Sequence, residues 1–123
     1  MAHKILIADD EQNIVISLEY LMRREGFEVS IAQDGDEAIA KTRAEQPDLV
    51  LLDIMMPKMN GFEVCQEIKS DPTLKAVRIL MLTAKGRDTE VAKGLALGAD
   101  GYMTKPFSTK ELVERIRALL ADD

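Results

Sequence analysis

Short apolar runs alternate with longer helical patterns five times along this chain, and the alternation restricts the fold more than any other feature. Residues 49–52 are apolar at four consecutive positions, which is typical of a strand buried on both faces in a parallel sheet. With Asp48 they form one expected strand, and the others occupy residues 4–8, 28–32, 78–82 and 101–103. Five strands that alternate with helices predict an α/β fold with a parallel sheet and right-handed crossovers.

The segments that follow the strands have helical patterns with an apolar face. In residues 12–25 the apolar residues Ile14, Leu18, Leu21 and Met22 occupy positions i, i+4, i+7 and i+8, and Gly26 ends the pattern. Further helices are expected from Asp34 as far as Pro47, over residues 61–70, over residues 88–97 and from Ser108 onward. Asp34 and Ser108 are each followed three residues later by a glutamate, which is the spacing of a capping box.

The fourth of these helices, residues 88–97, has the weakest pattern. Its expected buried face consists of Val91, Ala92 and Leu95, and Gly94 lowers its helix propensity. Few apolar contacts make an element easy to displace. We therefore expect this helix to respond most readily to a change elsewhere in the domain.

The order of the strands follows from the need to cover both faces of the sheet. Winding in a single direction would leave one face bare, so the chain must reverse once. The usual solution for five strands is a doubly wound sheet with strand order 2-1-3-4-5 and five helices. That order puts the first and third strands side by side at the point of reversal, which is where open parallel sheets place their reactive sites.

Three carboxylates follow these two neighbouring strands. Asp9 and Asp10 come after the first strand, and Asp53 comes after the third. Three like charges at one edge repel unless a cation neutralises them or one is protonated. The ends of the fourth and fifth strands add Thr83 and Lys105 to the same edge.

Each of these residues also has an ordinary interpretation when it is taken alone. Asp53 could be a turn or N-cap residue, Lys105 a solvated surface lysine, and Thr83 a cap at a strand end. Their convergence at one edge favours a chemical site instead. Hard carboxylate oxygens favour Mg²⁺ or Mn²⁺, and the only histidine is His3, so the sequence argues against a histidine-based metal site.

The same residues suit phosphoryl transfer. An aspartate can act as a nucleophile toward phosphorus, and the transfer asks the protein mainly for positioning and positive charge around the phosphoryl oxygens. A divalent ion, the Lys105 ammonium and the Thr83 hydroxyl would supply both.

Length and composition limit the function further. With 123 residues, the chain is expected to be a single domain, 1–123. It has neither an apolar stretch near the roughly 18 residues of a membrane span nor a leader peptide, so a cytoplasmic location without membrane contact is expected. The net charge of −6 argues against direct nucleic-acid binding. Cys65 is alone and cannot form an internal disulfide.

Two segments, PDLVLLDIMMPKMNGFE and GADGYMTKPF, together with Asp9-Asp10 and Thr83-Ala84, resemble the receiver domain of two-component response regulators of the chemotaxis type, which has a flavodoxin-like fold. The resemblance implies that Asp53 accepts a phosphoryl group and that Asp10, Asp53 and the backbone carbonyl of Met55 bind Mg²⁺ directly. It implies in addition that Asp9 assists through water, that Thr83 and Lys105 contact the phosphoryl group, that Tyr102 is an aromatic switch, and that Lys105-Pro106 is a cis bond.

The resemblance also implies partners for such a phosphoprotein. A histidine kinase, a histidine phosphotransfer protein of a phosphorelay, or a small phosphodonor would supply the phosphoryl group, and an unidentified protein or output domain would respond through the face of helix four, strand five and helix five. Dimers that form on that face use matched charges. Asp100, Glu111 and Arg115 fit this pattern but Val91 and Gly101 do not, which favours a monomer or a weak phosphorylation-dependent dimer.

Three other functions are disfavoured by the same residues. A phosphatase with an aspartate nucleophile would need a second acid two positions on, where the chain has Met55, so we expect no enzyme beyond self-phosphorylation and slow dephosphorylation. A scaffold that works without phosphorylation would be expected to lack one of the five site residues, but all are present: Asp9, Asp10, Asp53, Thr83 and Lys105. Nucleotide binding would need a glycine-rich loop after the first strand. Since the sequence ends at Asp123, soon after the last helix, the domain is expected to be a stand-alone receiver or part of a longer regulator.

Overall fold

Five strands and five helices alternate in the structure, a computed structural model that describes residues 3–84 and 88–121. The strands are β1 (Lys4–Ala8), β2 (Glu28–Ala32), β3 (Leu49–Asp53), β4 (Arg78–Ala84) and β5 (Gly101–Lys105). The helices are α1 (Gln12–Arg24), α2 (Gly35–Glu45), α3 (Gly61–Lys69), α4 (Asp88–Ala96) and α5 (Thr109–Leu120), with a short 3-10 turn at Pro72–Leu74. Within these ranges, no helix is long and apolar enough to cross a membrane.

The strands form one parallel sheet in the order β2-β1-β3-β4-β5. This confirms the predicted topology, including the contact between β1 and β3. The central strand β3 is buried along its whole length, which explains why its sequence is apolar at consecutive positions rather than at alternate ones.

The core lies in two layers, one on each face of the sheet. Val50 and Leu52 pack with residues of α2 and α3, whereas Leu49 and Leu51 pack with residues of α1 and α5. Alternate residues of a strand point to opposite faces, so a single strand contributes to both layers. Helices therefore cover both faces of the sheet, and its carboxyl edge is where the side chains that follow the strands come together.

The strands that carry the predicted site residues extend further than the sequence pattern indicated. Asp53 pairs with Leu82, and Thr83 pairs with Thr104. Lys105 is the last residue of β5. All three site residues, Asp53, Thr83 and Lys105, therefore belong to the hydrogen-bonded ladder, and the sheet fixes their backbones.

The helix N-caps that the sequence predicted are confirmed in part. Asp34 and Ser108 each accept a bond from the backbone N–H of the glutamate three residues on. The Glu37 side chain, however, accepts from Gln33 N rather than from the N-cap residue. A complete capping box lies at Asn60 and Glu63 of α3, where the sequence analysis had identified only the start of a helix.

The buried face expected for α4 is wrong. Leu95 is 45% exposed, Ala92 is exposed and Val91 is only partly buried. Gly94 is buried instead, and a Cβ at this position would lie 2.5 Å from the Met81 sulfur. Because glycine allows this close approach, the helix turns its Gly94 side toward the sheet rather than its larger apolar residues.

Candidate functional site

The carboxyl edge of β1 and β3 brings the three predicted aspartates together. Ala8 pairs with Leu52 in the ladder, so Asp9 and Asp53 follow at equivalent positions on adjacent strands. One carboxylate oxygen from each of Asp9, Asp10 and Asp53 lies within 4.8 Å of the others. Such a group of hard oxygen donors fits a divalent cation such as Mg²⁺.

The three carboxylates differ in their exposure. Asp9 is fully buried, and its Oδ1 accepts a hydrogen bond of 2.9 Å from the backbone N–H of Glu11. Asp53 is buried with 5% exposure, whereas Asp10 is exposed. Asp9 therefore lies beneath the site, and Asp10 and Asp53 are the aspartates that line the open cleft.

Lys105 supplies the positive charge expected at this edge. Its Nζ lies 3.2 Å from Asp9 Oδ2, 3.5 Å from Asp53 Oδ1 and 3.6 Å from Glu11 Oε1. Burial lowers the pKa of Lys105, but the negative charges of Asp53 and Asp9 outweigh this effect and raise the pKa above its ordinary value. The ammonium therefore stays protonated across the neutral range. The peptide bond between Lys105 and Pro106 is cis, as the resemblance implied.

The surroundings of Asp53 raise the pKa of its carboxyl group. Burial, and after it the charge of Asp9, raises the pKa of Asp53 from 3.8 to about 6. Lys105 and the backbone N–H of Met55, 3.4 Å from Asp53 Oδ1, act in the opposite direction. Without a cation, part of the Asp53 population is therefore protonated near neutral pH. A bound cation favours the ionised form.

These residues surround a cleft of about 310 Å³. It is lined by Asp10, Glu11, Asp53, Ile54, Met55, Leu82, Thr83, Glu90 and Lys105. Thr83 is buried with 2% exposure, and Met55 lies at the rim with 69% exposure. The predicted metal and phosphoryl contacts thus share one cleft, apart from Asp9, which lies below it.

Tyr102, the predicted switch residue, lies outside the cleft. Its side chain is on β5 with 40% exposure, beside a narrow gap that has no room for a water molecule and is also lined by Thr83 and Leu95. The ring can enter this gap only if Thr83 or α4 moves. Thr83 therefore links the cleft to the surroundings of Tyr102.

Sequence analysis missed two acidic residues of the cleft, Glu11 and Glu90. Glu11 directly follows the Asp9-Asp10 pair, and this position was the signal that could have identified it. Glu90 is on α4, one helical turn before Gly94. It could be found only by knowing that Gly94 marks the side of α4 that faces the sheet.

Comparison with known proteins places the chain in a family. The model of the response regulator receiver domain matches residues 5–117. The chain belongs to this family. A curated relative, the alkaline phosphatase synthesis transcriptional regulatory protein PhoP of Bacillus subtilis (strain 168), is 48% identical over 120 residues. The match covers 98% of this chain and 49% of that protein, so the chain spans about half of its length.

Solved receiver structures resemble this receiver domain closely. A CheY-like receiver domain protein from Methanospirillum hungatei JF-1 has a TM-score of 0.93 and 31% identity, with 99% of this chain and 96% of that chain covered. The receiver domain of sensor histidine kinase PA1611 from Pseudomonas aeruginosa PAO1 has a TM-score of 0.90 and 25% identity, covering 98% and 99%. That structure has a magnesium ion coordinated in its active-site cleft. The flavodoxin-like receiver fold of this chain is thereby confirmed.

Two of the charged residues expected on a dimer face of the receiver, Asp100 and Arg115, form bonds within the chain. Asp100 Oδ2 lies 2.8 Å from Lys69 Nζ and accepts a bond of 2.8 Å from the backbone N–H of Ile79. Arg115 donates to the Tyr102 carbonyl at 3.3 Å. Asp100 and Arg115 therefore stabilise the domain itself, and Asp100 ties the start of β5 to β4.

Proposed function

We propose that this receiver domain is a phosphorylation-dependent signalling switch in which Asp53 accepts a phosphoryl group in a Mg²⁺-dependent reaction. The observation that carries the proposal is the Asp53 carboxylate, buried except where it meets the cleft, with the Lys105 ammonium 3.5 Å away and two further aspartates beside it. This arrangement offers both a nucleophile and the positive charge that phosphoryl transfer requires.

In the reaction, an Asp53 carboxylate oxygen forms a bond to the phosphorus of the donor, and the bond from phosphorus to the donor's leaving group breaks. Lys105 would donate hydrogen bonds to the phosphoryl oxygens and offset their negative charge, and Thr83 lines the same cleft. Asp9 holds the Lys105 ammonium in position through the 3.2 Å hydrogen bond.

The donor set fits Mg²⁺, with Mn²⁺ as a chemically similar substitute. Asp10, Asp53 and the backbone carbonyl of Met55 would hold the ion, with Asp9 behind them. When bound, the ion neutralises negative charge in the cleft and on the incoming phosphoryl group. Burial, and after it the charge of Asp9, raises the pKa of Asp53. A cation in the cleft would offset both effects by favouring the ionised carboxylate, which supports this role.

The histidine of this domain, His3, precedes β1 and so lies at the edge of the sheet opposite Asp53, and we infer that the phosphoryl group comes from a donor outside the domain. We propose a histidine kinase or a histidine phosphotransfer protein, with small phosphodonors as substitutes, acting in the cytoplasm. The chain would catalyse only its own phosphorylation and slow dephosphorylation. Its output would pass through the face of α4, β5 and α5 to a partner or to an output domain of a longer protein.

A groove beside the cleft is suited to a donor protein. It has a volume of about 620 Å³ between α1 and the segment that follows β5, and Glu11 and Lys105 line both cavities. A donor protein whose phosphohistidine reaches Asp53 must cover the carboxyl edge of the sheet beside this groove.

Ser17→Arg tests the groove, because Ser17 is exposed at its rim. The variant should slow phosphoryl transfer from a histidine kinase and leave labelling by acetyl phosphate unchanged. Ala40→Arg, at an exposed residue of α2, is the control.

Incubation with acetyl phosphate tests the central claim. Intact mass should show one phosphoryl group, stable to acid and labile to base, only when Mg²⁺ is present. Asp53→Asn should abolish the labelling. Asp48→Asn is the matched control, because Asp48 bonds to the Lys4 N–H at the opposite edge of the sheet. Labelling that persists in Asp53→Asn or in excess chelator would contradict the proposal, and sustained phosphate release at many turnovers would favour a phosphatase.

A further inference from the structure

Glu90 occupies a position shared by the cleft and the gap beside Tyr102. Three residues line both spaces, namely Ile54, Thr83 and Glu90. Glu90 is the charged member of this set, and it is the one that belongs to a helix. A negative charge added in the cleft would therefore lie near the acidic side chain of Glu90, which is part of α4.

The packing of α4 directs Glu90 toward the sheet. Residues four apart lie on the same side of a helix, so Glu90 shares a side with Gly94. At Gly94 the helix approaches β4 so closely that a Cβ would lie 2.5 Å from the Met81 sulfur. Lys93, on the next turn from Glu90, lies with its ammonium 4.6 Å from the centre of the Phe62 ring of α3.

The opposite end of α4 is fastened to the sheet. The backbone N–H of Ala99 bonds to the Gly94 carbonyl, and Asp100 N–H bonds to the Ile79 carbonyl at 2.9 Å. The Asp100 carboxylate in turn accepts from Ile79 and Lys69. The chain that follows α4 is thus bonded to β4 and α3, and Glu90 lies near the amino end of the helix, beside the cleft. We expect a displacement of Glu90 to move the amino end of α4 more than its carboxyl end.

We propose that Glu90 is the positioning residue through which a phosphoryl group on Asp53 displaces α4, an inference that rests on the proposed phosphorylation of Asp53. Phosphorylation replaces a singly charged carboxylate with an acyl phosphate that carries more negative charge and extends into the cleft. Glu90 is partly buried there, so the repulsion is only partly screened by solvent. Moving α4 away from the cleft relieves the repulsion and widens the gap into which Tyr102 can turn.

Tyr102 can report the displacement directly. The chain has no tryptophan and two tyrosines, so Tyr20→Phe leaves Tyr102 as the only tyrosine signal. In this background, Glu90→Gln removes the charge with little change in size, and Glu90→Asp retains it. Asp36→Asn is the matched control, because it removes the same charge from an exposed residue of α2 that lines neither the cleft nor the gap. Each protein is measured with Mg²⁺, before and after saturating beryllofluoride.

Fluorine NMR of bound beryllofluoride first establishes that Asp53 is occupied, so a failure of the proposed function is seen separately. With the site occupied, the Tyr102 fluorescence change and the amide shifts of α4 should fall at least about twofold in Glu90→Gln. They should recover in Glu90→Asp and stay near wild type in Asp36→Asn. A full response in Glu90→Gln, an equal loss in Asp36→Asn, or no α4 response in the parent protein would each overturn the role of Glu90.

Discussion

Lys105 donates a hydrogen bond of 3.2 Å to Asp9, a residue 96 positions away in the chain. The bond joins the carboxyl ends of β5 and β1 above β3 and β4, which lie between them in the sheet. Asp9 has no solvent exposure, so this ammonium is the positive partner of a carboxylate that has no contact with solvent. The same ammonium faces Asp53, and a single lysine therefore supports both the structure of the edge and its chemistry.

Replacing Lys105 should destabilise the metal-free domain. Lys105→Gln leaves Asp9 and Asp53 buried without their cation, and losing one partner of a largely buried pair costs about 3 kcal/mol. Mg²⁺ should restore part of the loss, because it supplies the missing positive charge. Urea unfolding in chelator and in Mg²⁺ measures both effects.

Lys58→Gln is the control for that experiment. Lys58 lies 3.6 Å from Asp34 but its side chain is 62% exposed, and such surface pairs contribute at most about 1 kcal/mol. Equal losses in Lys105→Gln and Lys58→Gln would mean that the edge tolerates the buried carboxylates without Lys105.

The stability of the metal-free domain should depend on pH through Asp53. The folded-state pKa of Asp53 is raised to about 6 from 3.8, so the folded state binds the proton more tightly than the unfolded state does. The resulting stabilisation is complete below about pH 4 and is lost as pH rises through about 6. Relative to wild type in chelator, Asp53→Asn should therefore be more stable by about 2–3 kcal/mol near pH 7.5 and by only about 1 kcal/mol near pH 4.5. A difference independent of pH, measured by urea unfolding, would contradict the raised pKa.

The architecture could be predicted because it depends on patterns that are local in sequence. Buried parallel strands are apolar at consecutive positions, and the single reversal of the winding fixes which strands are neighbours. The positions of Asp9, Asp53 and Lys105 follow directly from that order. The different degrees to which these residues are buried could not be predicted from the strand order, because exposure depends on how the loops after each strand cover the edge.

The orientation of α4 could not be predicted for a related reason. Hydrophobic periodicity assigns the larger apolar residues to the interior, so it selected Leu95 and not Gly94. In the structure, Gly94 faces the Met81 side chain, and such a contact depends on a residue of another element. Glu90 was missed as a consequence.

Gly61 should be essential to the shape of the site. A Cβ at this position would lie 2.6 Å from the Asp53 carbonyl oxygen and 2.8 Å from Ile54 Cα, both backbone atoms that cannot move freely. Gly61→Ala should lower the free energy of unfolding by about 3 kcal/mol and slow phosphorylation of Asp53, because overpacking displaces the backbone that carries it. Urea unfolding and acetyl phosphate labelling measure the two effects.

Gly26→Ala separates the packing effect from backbone strain. Gly26 has a φ of +91° but nothing within 4 Å of an added Cβ. Its substitution should cost only about 1 kcal/mol and leave labelling unchanged, since the penalty is confined to the left-handed backbone. If Gly61→Ala behaved like Gly26→Ala, the approach of α3 to the end of β3 would not control the position of Asp53.

The last prediction concerns how the signal leaves the site. Thr83 borders both the cleft and the gap beside Tyr102, and the gap is too narrow for a water molecule, so the ring cannot enter until Thr83 or α4 shifts. Beryllofluoride should therefore change hydrogen exchange and amide shifts mainly in residues 83–103 and leave α2 nearly unchanged, because α2 packs at the other end of the sheet.

Thr83→Ala and Tyr102→Ala test this route. Both should still bind beryllofluoride at Asp53, and the response of α4 and β5 should shrink in each, because one variant removes the group that is drawn into the cleft and the other removes the ring that fills the gap. The alternative is that Tyr102 is an ordinary half-buried aromatic residue with a hydrated hydroxyl. An undiminished response in both variants would support that alternative, and the phosphoryl signal would then have to reach α4 through Glu90 without any movement of Thr83 or Tyr102.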